Sequence, residues 1–199
     1  MSTCKQIIIA LRKPALVATL LTVASLSGAK AVELTGVHHM GPNYKIDTFY
    51  VNTTYGGNVG REGGGGRITC CVELPAKWRP GLMVTVRWAV GDWSQENTAE
   101  IEKGNYRSVL PGGRYRAQIP VEKYESAEHL YVHFFAGGKA RVVSSLAGPG
   151  IYHPISENDP HAVEQATLAA RVDQLFTEIE LADMRKKSDT APRRLGDWR

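Results

Sequence analysis

Glycine, cysteine and histidine are the residues of this chain whose types and spacing could do chemistry. The densest stretch is GGNVGREGGGGRITCCVEL, residues 56–74. A phosphate-cradling loop needs its glycines followed at once by Gly-Lys-Ser/Thr and a helix. Here Gly63–Gly66 run into Arg67-Ile68-Thr69 and an extended segment. Four glycines in a row offer positive φ or a close approach between backbones, and the expectation is a mobile loop or irregular sheet edge, with a binding loop as the alternative. Cys70 and Cys71 lack the two intervening residues of a redox Cys-x-x-Cys pair, and neighbouring strand residues point to opposite faces, which makes them poor joint metal ligands. Either one thiol is a small buried hydrophobe, or the two form a vicinal disulfide. His38 and His39 face apart if extended, and His129 and His133 lie about 13 Å apart along a strand, too far for one zinc. His153 and His161 lie in different segments, and neither HExxH nor GxSxG occurs. The sequence therefore assigns no catalytic residue, no metal ligand and no cofactor.

Short extended segments joined by turn residues would have to position any site. GLMVTVRWAV (81–90) is the clearest strand, with Leu82, Val84, Val86, Trp88 and Val90 on one face. YKIDTFYVN (44–52), RITCCVEL (67–74) and YRAQIP (115–120) read the same way, and HLYVHFF (129–135) and KARVVSSL (139–146) form a hairpin about Ala136-Gly137-Gly138. The expected fold is mainly β, an antiparallel β-sandwich or partly open barrel over residues 32–158. Without helix–strand alternation, parallel pairing is not expected. After Asp159, a suitable N-cap, and Pro160, residues Leu168, Val172, Leu175, Ile179 and Ala182 recur at helical spacing. They predict a long amphipathic C-terminal helix over 159–187, packed on the sheet or paired as a coiled coil, and a flexible tail over 188–199.

Residues 1–31 read as a signal peptide. MSTCKQIIIALRK is a charged start, PALVATLLTVASLSG is apolar, and Ala29-Lys30-Ala31 offers small residues for cleavage after Ala31. The apolar run between Lys13 and Lys30 is short for a membrane span, which needs about 20 residues; an uncleaved anchor is the competing reading. No lipidated cysteine follows Leu26-Ser27-Gly28. The leader carries four of the 24 basic residues and no acid, so the formal +4 of the whole chain becomes 20 against 20 without it. A basic pI then gives no argument for nucleic acid, and no stable membrane insertion is expected after cleavage.

Aromatic residues at turns are the remaining functional signal. Trp78 lies in the turn Pro75–Gly81, and Trp93 follows Gly91-Asp92. Such rings either plug the ends of a sandwich or anchor a partner. Lys77, Trp78, Arg79 and Trp93 are the expected partner-binding anchors; Asn58 and Arg61 belong to the glycine loop at the opposite end of the 67–74 strand, which is expected to contribute shape more than energy.

The series Val51-Asn52, Gly56-Gly57-Asn58, Gly63–Gly66, Cys70-Cys71-Val72, Leu74-Pro75, Trp78, Pro80-Gly81-Leu82 and Trp88 resembles a bacterial envelope family, domain-of-unknown-function family 3304. Tyr131–Phe135, Gly137-Gly138-Lys139 and His153-Pro154-Ile155 extend the resemblance over about residues 34–156. It implies an exported protein similar to the immunity proteins encoded beside type VI secretion phospholipase effectors. The expected partner is then a cognate secreted phospholipase or lipase toxin, and the expected location is the periplasm. A non-catalytic envelope structural or carbohydrate-binding module is the alternative, and an enzyme the third.

Overall fold

A computed structural model describes residues 28–64, 66–93, 110–156 and 159–190. Among the described residues ten strands and one helix follow in order: β1 Ala29–His38, β2 Tyr44–Val51, β3 Thr54–Val59, β4 Thr69–Pro75, β5 Met83–Asp92, β6 Leu110–Pro120, β7 His129–Phe135, β8 Lys139–Ser145, β9 Thr167–Leu168, β10 Ala170–Arg171 and α1 Glu178–Thr190. They form two five-stranded sheets, β4-β1-β7-β8-β9 and β10-β6-β5-β2-β3. The fold is an open β-sandwich with a C-terminal helix.

Alternation along the strands builds the core. Leu34 of β1, Leu130, Val132 and Phe134 of β7 and Ala140 and Val142 of β8 face Ile46, Phe49, Val86 and Trp88 of the second sheet, all of them fully buried. Pairing is antiparallel except between β1 and β7, which run parallel with Thr35 opposite Tyr131 and Val37 opposite His133. That parallel pair departs from the expected all-antiparallel pattern. Strands from distant parts of a chain can pair in parallel without a crossover helix when, as here, several strands of the other sheet lie between them.

The glycine stretch is structural. Gly56 lies inside β3, where an added Cβ would sit 2.1 Å from a ring carbon of buried Phe49. A Cβ on Gly66 would meet the Asn58 carbonyl at 2.5 Å, and Gly63 holds φ at 76° while accepting a hydrogen bond from the His38 N–H. Gly66 N–H donates in turn to Gly36. Close backbone approach fastens this segment to β1. Gly56→Ala should lower the unfolding free energy by about 1–3 kcal/mol, the usual cost of overpacking; an unchanged urea midpoint would show that Phe49 moves aside freely.

The C-terminal region corrects the long-helix expectation. Asp159 does cap a turn, with its Oδ1 accepting from His161 N–H, but residues 159–166 form successive i→i+3 turns rather than a continuing helix. β9 then extends the first sheet beside β8, and β10 extends the second beside β6. Pairing at both sheet edges outweighs the helical period, a tertiary override of local preference. Leu168 and Ile179, two members of the supposed apolar stripe, are 67% and 76% exposed. The helix starts only at Glu178, behind a capping box in which Thr177 Oγ1 accepts from Glu180 N–H and Glu180 accepts from Thr177 N–H. Its first turn docks on the outer face of the second sheet. Glu180 pairs with buried Arg87 and with Arg116, and Phe176 lies under the Arg87 guanidinium and edge-on to Tyr50. The expected leader lies outside the described residues except for Gly28–Ala31, of which Ala29–Ala31 are the exposed start of β1; most of the expected tail likewise lies outside them.

Candidate functional site

The outer face of the first sheet gathers side chains that the sequence keeps far apart. β1 and β7 alternate, so Thr35, Val37 and His39 emerge beside His129, Tyr131, His133 and Phe135. The chain after β8 folds back over them. Val37, Tyr131, Phe135, Val143, Ile155 and Ala162 make a second apolar cluster, with Val163 and Ala166 packed against it. Six rings form a continuous row along β7. His129 stacks on Tyr131 at 4.5 Å, Tyr131 meets His153 edge-on at 4.6 Å, and His153 lies 4.9 Å from His133. His133 is 5.2 Å from His39, which stacks on Phe135 at 4.7 Å.

Hydrogen bonds fix the protonation of the inner three. The Ala147 carbonyl can only accept, so His153 Nδ1, 2.8 Å away, carries a proton. The neutral His153 ring then accepts at Nε2 from His133 Nε2–H at 2.9 Å. That leaves His133 Nδ1 to accept from His39 Nε2–H, also at 2.9 Å. Burial, followed by the proximity of His153, His39 and Arg141, pushes the His133 pKa down to about 2. Burial also lowers that of His153, against the opposing pull of the Ala147 carbonyl. The buried middle ring is neutral at pH 7. Because His133 uses its two ring nitrogens in opposite directions, the three lone pairs do not converge on one point. Among the described residues no group of three or more His, Cys, Asp or Glu could hold a metal ion. The row's inner end is a backbone carbonyl, so its evident work is to lock the 147–153 segment onto the sheet.

A second polar group stands at the other end of the row. His129 Nδ1 lies 3.3 Å from Glu33 Oε2, and its Nε2 lies 2.7 Å from Thr35 Oγ1. Carboxylate, imidazole and hydroxyl are connected in the order of a hydrolase triad. Thr35, however, is only 4% exposed, so a substrate carbonyl has no approach to its hydroxyl as the face stands.

The expected partner-binding residues fall into two groups at opposite ends of β5. Trp78 is half-buried against the main core and donates from Nε1 to the Val121 carbonyl at 2.8 Å, with Lys77 and Arg79 exposed beside it. Trp93 lies past the far end of this ten-residue strand, about 30 Å away at 3.3 Å per residue. Its ring is flanked by the cations of Lys45 at 5.0 Å and Arg61 at 5.2 Å. Exposed Asn58 of β3 lies toward that same end, because Val59 pairs with Ile46 and Ile46 with Val90. The single patch of Lys77, Trp78, Arg79 and Trp93 is thus not assembled. Cys70 and Cys71 are bonded to each other across a cis peptide bond on the edge strand β4. Cys70 is exposed and Cys71 half-buried, so neither is the buried small hydrophobe of the other reading.

The histidine row was missed from sequence because its members are 94 and 20 residues apart. The available signal was the polar alternation His129-Tyr131-His133 on a strand whose other face is wholly apolar. No curated protein and no solved structure matches the chain. Residues 39–142, from His39 of the row to Val142 within β8, match the family described as protein of unknown function DUF3304, and the chain belongs to that family.

Proposed function

We propose that this protein is an exported immunity protein that binds a cognate type VI secretion phospholipase effector and blocks it. The observation that carries this reading is how the molecule distributes its chemistry. The imidazoles at the centre of the row are interlocked and covered, and Thr35 is buried. The surface instead presents large apolar side chains, among them Leu146, Ile151 and Tyr152. That distribution favours recognition over turnover, since an interface draws its energy from a few large anchors. The alternative, an envelope structural or carbohydrate-binding module, draws on aromatic residues at turns, and Trp78, one of these, packs against the core.

Export is compatible with the core. Cleavage after Ala31 removes Ala29–Ala31, exposed residues of β1 that pair with Glu73, Leu74 and Pro75 of β4, and keeps Val32, Leu34, Thr35, Val37 and His38, all buried. No helix among the described residues is long and apolar enough to cross a membrane. N-terminal sequencing of protein from the periplasmic fraction should begin at Val32. Mixing the protein with the phospholipase encoded beside its gene should give a complex at micromolar concentration or below, and loss of lipid turnover. No complex at micromolar concentrations would overturn the proposal.

A further inference from the structure

Leu146, Ile151 and Tyr152 are 85%, 92% and 89% exposed, and they fall within one seven-residue loop, LAGPGIY. Scattered exposed apolar residues are ordinary; three large ones projecting from one short loop are a patch with a purpose. The foot of the loop is tied. Ser145 Oγ bonds both the N–H and the carbonyl of Ala147, His153 Nδ1–H donates to that same carbonyl, and His153 N–H donates to Gly150. The histidine row therefore holds the loop's end from behind, and Pro149 between two glycines limits its conformations further. A segment ordered before binding keeps more of its contact energy.

We infer that loop 146–152 is a plug that enters the apolar acyl-chain mouth of the phospholipase. This rests on the inhibitory function proposed above and assigns the surface that performs it. The protrusion is convex and apolar, so its complement is a concave apolar cleft, which an acyl-binding enzyme must possess. An anionic bilayer is a poorer match. Residues 146–156 contain no Lys or Arg, and Glu128, whose N–H donates to Ser144 at the loop's foot, adds a carboxylate. A second copy of the chain is also a poorer match, because a two-fold contact would set one convex loop against the same loop of the other copy. The loop is instead the central anchor of a wider contact.

The test uses the full chain carrying Ile151→Asp and Tyr152→Asp together, with Ile68→Asp on the segment before β4 as a control. Each is assayed against the phospholipase encoded beside the gene, acting on phosphatidylcholine micelles. Because these side chains are exposed, all variants should unfold at the wild-type midpoint. The expected result is inhibition by the wild type and by Ile68→Asp, and about a 30-fold or greater weakening in the double variant, the size of a hot-spot loss. Equal inhibition by the double variant overturns the plug and leaves the inhibitory function standing. A wild type that neither binds nor inhibits overturns both. Two parallel measurements address other occupants of the loop. Binding to phosphatidylcholine vesicles that the double variant loses, with inhibition intact, assigns the loop to lipid and overturns the plug. A wild-type dimer in sedimentation that the double variant lacks, again with inhibition intact, assigns it to self-association and overturns it too.

Discussion

Acidification from pH 7 to pH 4.5 is expected to remove about 2.5 kcal/mol of folding free energy through His133 alone. The unfolded chain takes up a proton on this residue near its ordinary value of 6.5, whereas the native ring does so only at about 2. Between those values the unfolded state binds more protons, so stability is full above pH 6.5 and falls as the pH drops. The slope approaches 1.4 kcal/mol per pH unit for one such group. His38 and His153, also pushed down by burial, act in the same direction. Neighbouring groups reinforce the effect. Arg141, a cation paired to Glu122 at 2.7 Å, opposes a proton on His133, and a proton on His39 or His153 would oppose it too. Glu180, whose carboxyl is held low chiefly by the Thr177 backbone N–H, loses its contribution only below about 4.5. The window from 6.5 to 4.5 therefore isolates the imidazoles.

His133→Leu gives the control. At pH 8 it should be less stable than wild type, because buried His153 loses the donor to its Nε2, and a buried polar group left unpaired costs about 1–3 kcal/mol. Below pH 6.5 its stability should fall less steeply, by up to one proton's worth. Urea unfolding at closely spaced pH values reads both. Parallel slopes in wild type and variant would mean that the native row takes up a proton as readily as the unfolded chain does.

What could be read from the sequence was the part encoded in neighbouring residues. The alternation Val84-Val86-Trp88-Val90 specified β5, and the Gly137-Gly138 turn specified the β7–β8 hairpin. β3 was hidden because Gly56 and Gly57 carry no side chain to alternate; the reason for Gly56 is Phe49, on another strand, and for Gly57 its φ of 94°. The helix start was legible in Thr177-Glu178-Ile179-Glu180, a capping box, but the Asp159-Pro160 cap signal and the apolar spacing from Leu168 drew the boundary too early. The histidine row depends on the parallel register of β1 and β7 and on the return of the chain at His153. Both are tertiary facts, and no local period records them. The same holds for the two tryptophans. Each was recognised as a turn aromatic, yet only strand length and direction place Trp78 and Trp93 at opposite ends.

Trp78→Ala should cost about 3 kcal/mol of stability, a value set by the loss of a large side chain packed on the core and of the indole hydrogen bond. The ring packs on the main core, and its N–H satisfies the Val121 carbonyl where the chain leaves β6. The same end is tied by Tyr124 O–H to the Pro75 carbonyl and by Ala127 N–H to that of Ala76. Trp78 thus closes this end of the sandwich. Trp78→Phe keeps most of the packing and removes only the hydrogen bond, for an expected loss of about 1 kcal/mol. Lys77→Ala and Arg79→Ala, both on exposed side chains, should stay within about 0.5 kcal/mol of wild type. Guanidinium unfolding of the four variants measures the series, and a Trp78→Ala midpoint equal to wild type would remove the ring from the core. The ordering also decides how binding data are read. A lost complex in Trp78→Ala reports a weakened fold, whereas a loss in Arg79→Ala, about 2 kcal/mol if this end contributes a hot spot, reports contact with the partner. Arg79 is therefore the residue on which a role for this end in binding stands or falls.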